Sequence, residues 1–283
     1  MTPASTFVEA NGLRLHCLRW GQDSGTPVVL LHPTGFIAAL WTPVAERLAD
    51  AGYGVYAFDA RGHGDSDKPP VSHENYDWHR FADDLRGFLD ALGLHGVPFV
   101  GHSMGAGVGL FVAGSHAEFF SRIVAIEPII MPGGMHMDEA RRESMANSAR
   151  KRRAVFGSVD EMIEQYSKRP TFERWPEAML RLYAEHGTRR REDGQVELKC
   201  SGEIEGEVFA NSASLPTWDV LPNVKAPTLV VRGEHTEGFL SMVAEGVSSR
   251  IPGARLETIA DAGHLVPFER PDAVAECVLA FLR

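Results

Sequence analysis

The sequence predicts an α/β protein in which a mostly parallel sheet carries helices on both faces, and three observations predict it. Short apolar runs bounded by turn residues alternate with segments of helical period, the pattern of strands buried on both faces. The alternation breaks near Met131 and resumes at Pro227, so an insertion over 131–220 is expected to divide a core of 1–130 and 221–283. The pentapeptide Gly101-His102-Ser103-Met104-Gly105 stands between the apolar run Val97-Pro98-Phe99-Val100 and a helix-competent stretch, where a strand must turn sharply into a helix.

The elements follow in order. Asn11-Gly12 supplies the positive φ of a type I′ turn, so residues 7–20 read as a β-hairpin. Residues 28–31 form a short buried strand, and Thr42-Pro43 offers an N-cap and first-turn proline to a helix that uses Val44, Leu48 and Ala51. A strand over 54–59 precedes a helix over 76–92, in which Phe81, Leu85, Phe88, Leu89 and Leu92 share one face before the stop at Gly93. After the strand ending at Val100 come the Ser103 turn, a helix to about Ser115 and the strand 123–126. The insertion is rich in Arg, Glu and Met and reads as several amphipathic helices. The core then resumes with the strand Thr228–Gly233, a helix near 241–247, the strand Arg255–Ile259, and a closing helix whose inner face is Val274, Cys277, Val278, Phe281 and Leu282.

Bulk properties exclude several classes. The chain has 283 residues, 44% apolar and 23% charged, as in a globular enzyme, and its net charge of −10 argues against a nucleic-acid or anionic-membrane partner. Its three cysteines, Cys17, Cys200 and Cys277, are far apart and odd in number, so neither a disulfide framework nor a zinc cluster is expected. The first residues lack a basic and then apolar leader, and no run approaches the roughly 18 apolar residues of a membrane span, so a cytoplasmic location is expected.

Ser103, with glycines on both sides of its turn, reads as a nucleophile, and a serine needs a base to take its proton. The segment Asp261-Ala262-Gly263-His264-Leu265-Val266-Pro267 places a histidine in a loop before the last helix. Together with His32-Pro33-Thr34-Gly35-Phe36 after an early strand and Asp59-Ala60-Arg61-Gly62-His63-Gly64-Asp65-Ser66, these motifs occur in an order that resembles the α/β-hydrolase family. The resemblance spans most of the chain and implies that family's fold, with the insertion as a helical lid that sets substrate choice. It implies Ser103 as nucleophile, His264 as base, and backbone amides of Met104 and of the 32–36 loop as an oxyanion hole. Pro33 has no N–H, which leaves Thr34 first, with Gly35 and Phe36 as alternatives.

The third member departs from the common pattern. Many family members place an aspartate three residues after the glycine that ends the strand Thr228–Gly233, and here that residue is Thr236. Glu127, at the end of the strand 123–126, and Glu237, one residue past the usual site, are the two candidates; the strand-end position and the stiffening Pro128 favour Glu127. Of the twelve histidines, His32, His63 and His102 are expected to order loops. The Asp59–Ser66 stretch is expected to form an internally bonded turn, without a metal. The basic runs 150–153 and 189–191 read as solvent faces of lid helices, with anion recognition as the lesser alternative.

The expectation is a cofactor-independent serine hydrolase acting on a small-molecule acyl substrate, a carboxylic ester first. Cleavage of an amide or carbon–carbon bond, a perhydrolase activity, and a catalytically silent ligand-binding member are the alternatives.

Overall fold

The computed structural model describes residues 2–135, 138–212 and 214–283. The chain opens with β1 (Ala4–Ala10) and β2 (Leu13–Trp20), antiparallel and joined by Asn11 at φ 50° and Gly12 at φ 74°, the signs a type I′ turn requires. Next come β3 (Thr26–Leu31), a 3₁₀ turn over Ala38–Trp41, α1 (Thr42–Asp50), β4 (Tyr53–Phe58) and α2 (Trp78–Ala91). The core continues through β5 (Val97–His102), α3 (Met104–Ser115) and β6 (Phe120–Ile126).

Two helix starts differ from the sequence reading. Thr42 does not cap α1: the 3₁₀ turn runs directly into the helix, and the Thr42 hydroxyl donates back to the Ala39 carbonyl at 2.7 Å. α2 begins at Trp78 because Asp77 caps it, accepting from the His79 N–H at 2.8 Å.

Between β6 and the next core strand lie α4 (Glu139–Arg150), β7 (Val155–Phe156), α5 (Val159–Ser167), α6 (Glu177–His186), β8 (Thr188–Arg190), β9 (Val196–Leu198), α7 (Gly202–Ala210) and α8 (Thr217–Val220). This insertion is not purely helical, since its strands pair in the antiparallel order β7-β9-β8. The chain closes with β10 (Thr228–Gly233), α9 (Gly238–Arg250), β11 (Arg255–Ile259), α10 (Val266–Glu269) and α11 (Pro271–Leu282).

The main sheet has eight strands in the order β1-β2-β4-β3-β5-β6-β10-β11, parallel from β4 onward. Alternate residues of each central strand feed separate cores. Val28 and Leu30 pack with Val44 and Leu48 of α1 and Val274 and Val278 of α11. Val29 and Leu31 pack on the other face with Phe81 and Leu85 of α2, Val108 of α3 and Val247 of α9. The parallel strands therefore point their C-terminal ends to one edge, where ligands bind in open α/β sheets.

An aromatic cluster fastens the insertion above that edge. Phe36, in the loop after β3, lies 5.6 Å from Trp175 and 5.3 Å from Tyr183, and Trp175 lies 5.0 Å from Phe268 at the start of the closing helices. Each such ring pair contributes about 0.5–1.5 kcal/mol beyond its buried area.

Candidate active site

The turn at the end of β5 has the backbone of a strained elbow. Ser103 adopts φ 55° and ψ −112°, a conformation that non-glycine residues rarely hold. Its flanking residues must be small: a Cβ on Gly101 would sit 2.6 Å from the Gly105 carbonyl oxygen, and one on Gly105 would sit 2.5 Å from that of Leu31. The strain is balanced by hydrogen bonds on both sides, from the Ser103 N–H to Ile126 O at 2.9 Å and from the Gly107 and Ile129 N–H groups to Ser103 O at 3.0 and 3.2 Å.

His264, in the loop between β11 and α10, approaches this elbow. Its Nε2 lies 3.1 Å from Ser103 Oγ and its Nδ1 lies 3.2 Å from Glu127 Oε2. Glu127 is 1% exposed, follows the last residue of β6 and itself holds φ 48°. Its second oxygen, Oε1, accepts from the Gly233 N–H at 2.7 Å and the Thr236 hydroxyl at 2.5 Å. Three residues distant in sequence thus form one chain of hydrogen bonds, carboxylate to imidazole to hydroxyl. Glu237 is exposed, and the carboxylate on His264 is that of Glu127.

The residue where an aspartate was looked for therefore has a different part. Thr236 is buried and supplies a donor to the carboxylate that arrives from the neighbouring strand. The sequence signal was present in the position of the threonine, but its donor role needs the fold.

Of the amides in the loop after β3, two are committed. The Gly35 N–H donates to His63 Nε2 at 3.0 Å and the Phe36 N–H to Pro33 O at 3.3 Å. Among the described residues the N–H groups of Thr34 and Met104 have no acceptor, and Thr34 and Ser103 line the same cavity. Met104 opens α3, so its N–H belongs to the first turn, which has no intrahelical acceptor and carries the positive end of the helix dipole.

Three buried histidines brace these loops. His32 donates Nδ1–H to Pro33 O at 2.8 Å and accepts the Ala60 N–H on Nε2 at 2.9 Å; His63 donates Nδ1–H to Arg61 O at 2.8 Å. Burial, with the neighbouring His32 second, pushes His63 down to about 3, and burial likewise lowers His32. His102 donates Nε2–H to the His264 carbonyl at 2.8 Å and is lowered well below the usual histidine value, first by burial and then by His264. These contacts fix neutral tautomers with the proton on Nδ1, Nδ1 and Nε2 in turn.

The Asp59–Ser66 turn is held internally. Asp59 accepts from the Ala38 N–H at 2.7 Å, the Asp65 N–H at 3.0 Å and His16 Nδ1 at 2.8 Å. Burial raises its pKa, but the His16 hydrogen bond and nearby imidazoles outweigh it and hold the carboxyl at about 2. His16, Asp59 and Asp65 lie close enough together to hold a cation, yet these bonds already occupy the Asp59 oxygens. Arg61 pairs with buried Asp84 at 2.6 Å.

The site opens into a cavity of about 650 Å³, within the range of small-molecule sites. Ser103, His264 and Thr34 lie in its wall beside Phe36, Trp78, Ile129 and Leu265 from the core, and Met135, Met145 and Phe209 from the insertion. No helix among the described residues is long and apolar enough to cross a membrane.

Comparison with known proteins agrees with this architecture. A family model described as "Alpha/beta hydrolase family" matches residues 28–277. Epoxide hydrolase A of Mycobacterium tuberculosis is 36% identical over 130 residues, which are 46% of this chain and 40% of that protein. A 2-(acetamidomethylene)succinate hydrolase of Mesorhizobium japonicum is 28% identical over 269 residues, covering 92% of this chain and 89% of the relative. An esterase of Escherichia coli is 24% identical over 271 residues, 92% of this chain and 94% of the relative. Among solved structures, an E-2-(acetamidomethylene)succinate hydrolase superposes with a TM-score of 0.85 over 99% of both chains at 22% identity.

Proposed function

The chain belongs to the α/β hydrolase family, and from that premise we propose that it is a cofactor-independent serine hydrolase that cleaves a carboxylic ester or similar acyl compound through an acyl-enzyme. The observation that carries the reading is the unbroken Glu127–His264–Ser103 hydrogen-bond chain beside the cavity. Separations of 3.1 and 3.2 Å are within reach of proton transfer without rearrangement.

In the proposed reaction, His264 Nε2 takes the hydroxyl proton as Ser103 Oγ bonds to the acyl carbon. The Met104 and Thr34 N–H groups hold the oxyanion, each such donor contributing about 2.7–4 kcal/mol to the transition state. Glu127 keeps the imidazole in the tautomer whose Nε2 is free to accept and stabilises the cation that forms. The imidazolium then gives its proton to the leaving oxygen. Water, deprotonated by the same imidazole, attacks the acyl carbon; the bond from that carbon to Ser103 Oγ breaks, and the imidazolium returns its proton to Oγ as the acid leaves. The insertion, as a lid over 131–220, shapes the acyl pocket.

Similarity to an esterase over most of the chain supports the ester reading. Similarity to a hydrolase of an acetamido compound supports amide cleavage as the second reading, which uses the same groups. A serine at the nucleophile position argues against the alkyl-enzyme chemistry of epoxide hydrolases. Turnover of p-nitrophenyl butyrate and labelling of Ser103 by a fluorophosphonate test the reading. Ser103→Ala is expected to abolish labelling and lower kcat by up to about 10⁶-fold, and Glu127→Gln by roughly 10⁴-fold. Glu237→Gln is expected to change little. Absence of both labelling and turnover in the wild type would leave a ligand-binding protein, and an active Glu127→Gln beside an inactive Glu237→Gln would reassign the acid.

A further inference from the structure

The basic runs 150–153 and 189–191, expected on solvent faces of lid helices with anion recognition as the lesser alternative, lie at the end of α4 and along β8 and are largely taken up by internal pairs. Arg150 bonds Glu207 at 2.9 Å, Arg152 lies 2.7 Å from Glu205, Arg153 lies 2.8 Å from Glu161, and Arg189 and Arg191 pair with Glu197 and Asp193. Two other arginines of the insertion behave differently. Arg141, in the first turn of α4, and Arg174, just past the 3₁₀ turn Pro170–Phe172, both line the cavity that holds Ser103 and His264. Among the described residues neither has a carboxylate partner within ion-pair distance.

Two carboxylates share that lining, and both face donors. Asp138 caps α4, accepting from the Ala140 N–H at 3.1 Å. Glu269 accepts from the Gly263 N–H at 2.6 Å and the Leu265 N–H at 3.2 Å, one on each oxygen. The two guanidinium groups are thus the cations of a cavity whose carboxylates are each already held by backbone N–H donors and whose remaining walls are largely Phe, Trp, Met, Ile and Leu. A forked, permanently charged donor set suits a planar anion, and because both arginines are exposed their pull on it is open to screening by salt.

We infer that Arg141 and Arg174 form a carboxylate-recognition subsite, so that the substrate of the site is an acyl compound bearing a free carboxylate on the part lodged beneath the insertion. The inference rests on the hydrolytic reading for its turnover assay, but not for its binding assay.

The test compares kcat/KM, measured at constant pH by titration, for monoethyl succinate, adipate and suberate against ethyl butanoate, hexanoate and octanoate, which match them in acyl length. The wild type is expected to favour at least one acidic ester by about tenfold or more, the yield of one charge-assisted hydrogen bond. The preference should shrink as salt rises from 50 to 500 mM, where screening reaches exposed charges. Combining Arg141→Gln with Arg174→Gln should bring the acid-to-neutral ratio near one, with thermal unfolding showing that the variant is folded. Calorimetric titration of Ser103→Ala with the same acidic esters reads binding alone and should lose its heat when both arginines are replaced. A wild-type ratio near one throughout the series, or a preference that survives in the folded double variant, overturns the subsite while leaving hydrolysis intact. Carboxylate-dependent binding to Ser103→Ala, with no labelling or turnover in the wild type, overturns hydrolysis while leaving the subsite intact.

Discussion

Acid should destabilise this protein through a histidine that lies outside the Glu127–His264–Ser103 chain. His63 is buried, donates Nδ1–H to the Arg61 carbonyl and accepts the Gly35 N–H on Nε2, so a second ring proton would meet that N–H head on. Its pKa falls from 6.5 to about 3, chiefly through burial, then through His32; the Arg61 carbonyl and Asp59 oppose the shift, and Lys68 adds to it slightly. A folded value below the unfolded one means that the stabilisation is complete above pH 6.5 and disappears as pH falls from there toward 3. At pH 5 the unfolded chain binds the proton and the folded chain largely does not, so His63 alone costs about 2 kcal/mol relative to pH 7.5. Urea unfolding followed by tryptophan fluorescence at both pH values gives the loss. His32 and His102 are also lowered, so the wild type should lose more than this single contribution, and His63→Gln should lose about 2 kcal/mol less than the wild type over the same interval. Equal losses in the two proteins would refute the assignment of a neutral, Gly35-bonded imidazole.

Two further substitutions separate positioning from chemistry. Thr236→Val removes one of the two donors on Glu127 Oε1; at about 1.5–3 kcal/mol for a hydrogen bond to a charged group it should lower kcat by about 10- to 100-fold with KM little changed, and Thr236→Ser should restore most of it, as steady-state kinetics on p-nitrophenyl butyrate would show. Tyr183→Phe removes the hydroxyl that donates to the Gly35 carbonyl at 3.0 Å from within the insertion, so kcat should fall several-fold and the thermal midpoint by a few degrees, at about 1 kcal/mol for a neutral hydrogen bond.

Strand period and turn chemistry carried most of the core into view. Arg255–Ile259 and Thr228–Gly233 have the bounds their composition suggests, and Asn11-Gly12 makes its hairpin, because each signal is local. The strands of the insertion escaped because β7, β8 and β9 span two or three residues, too few for a period of two to be distinguished from chance. Thr42 misled because a hydroxyl before a proline fits a cap, while the preceding 3₁₀ turn, which offers Ala39 O instead, has no sequence signature of its own. At the site, Ser103 and His264 were legible from local motifs. The pairing of Thr236 with Glu127 was not, because it joins residues beyond the ends of β6 and β10, which become neighbours only in the fold. Arg141 and Arg174 were overlooked for the reverse reason: isolated arginines leave no pattern, whereas the conspicuous runs 150–153 and 189–191 are largely taken up by neighbouring acids.

Moving the carboxylate from the loop after β10 to the end of β6 changes what holds it. In the β5–β6 ladder His102 faces Ile126, so Ser103 and Glu127 are each the first residue beyond a registered pair, and both turn out of their strands at φ near 50°, 55° and 48° respectively. The Ser103 N–H still bonds Ile126 O at 2.9 Å and the Glu127 N–H bonds Val231 O at 2.8 Å, so both residues leave the sheet while tied to it. Their spacing is then a property of strand register, which cannot slip by one residue without turning every core side chain to the wrong face. His264 has no such ladder: its loop is held by the His102 ring on its carbonyl and by Glu269 on the Gly263 and Leu265 N–H groups. His264 is therefore the adjustable member of the three, and contacts that orient its loop should govern whether the 3.1 Å approach to Ser103 persists when a ligand enters.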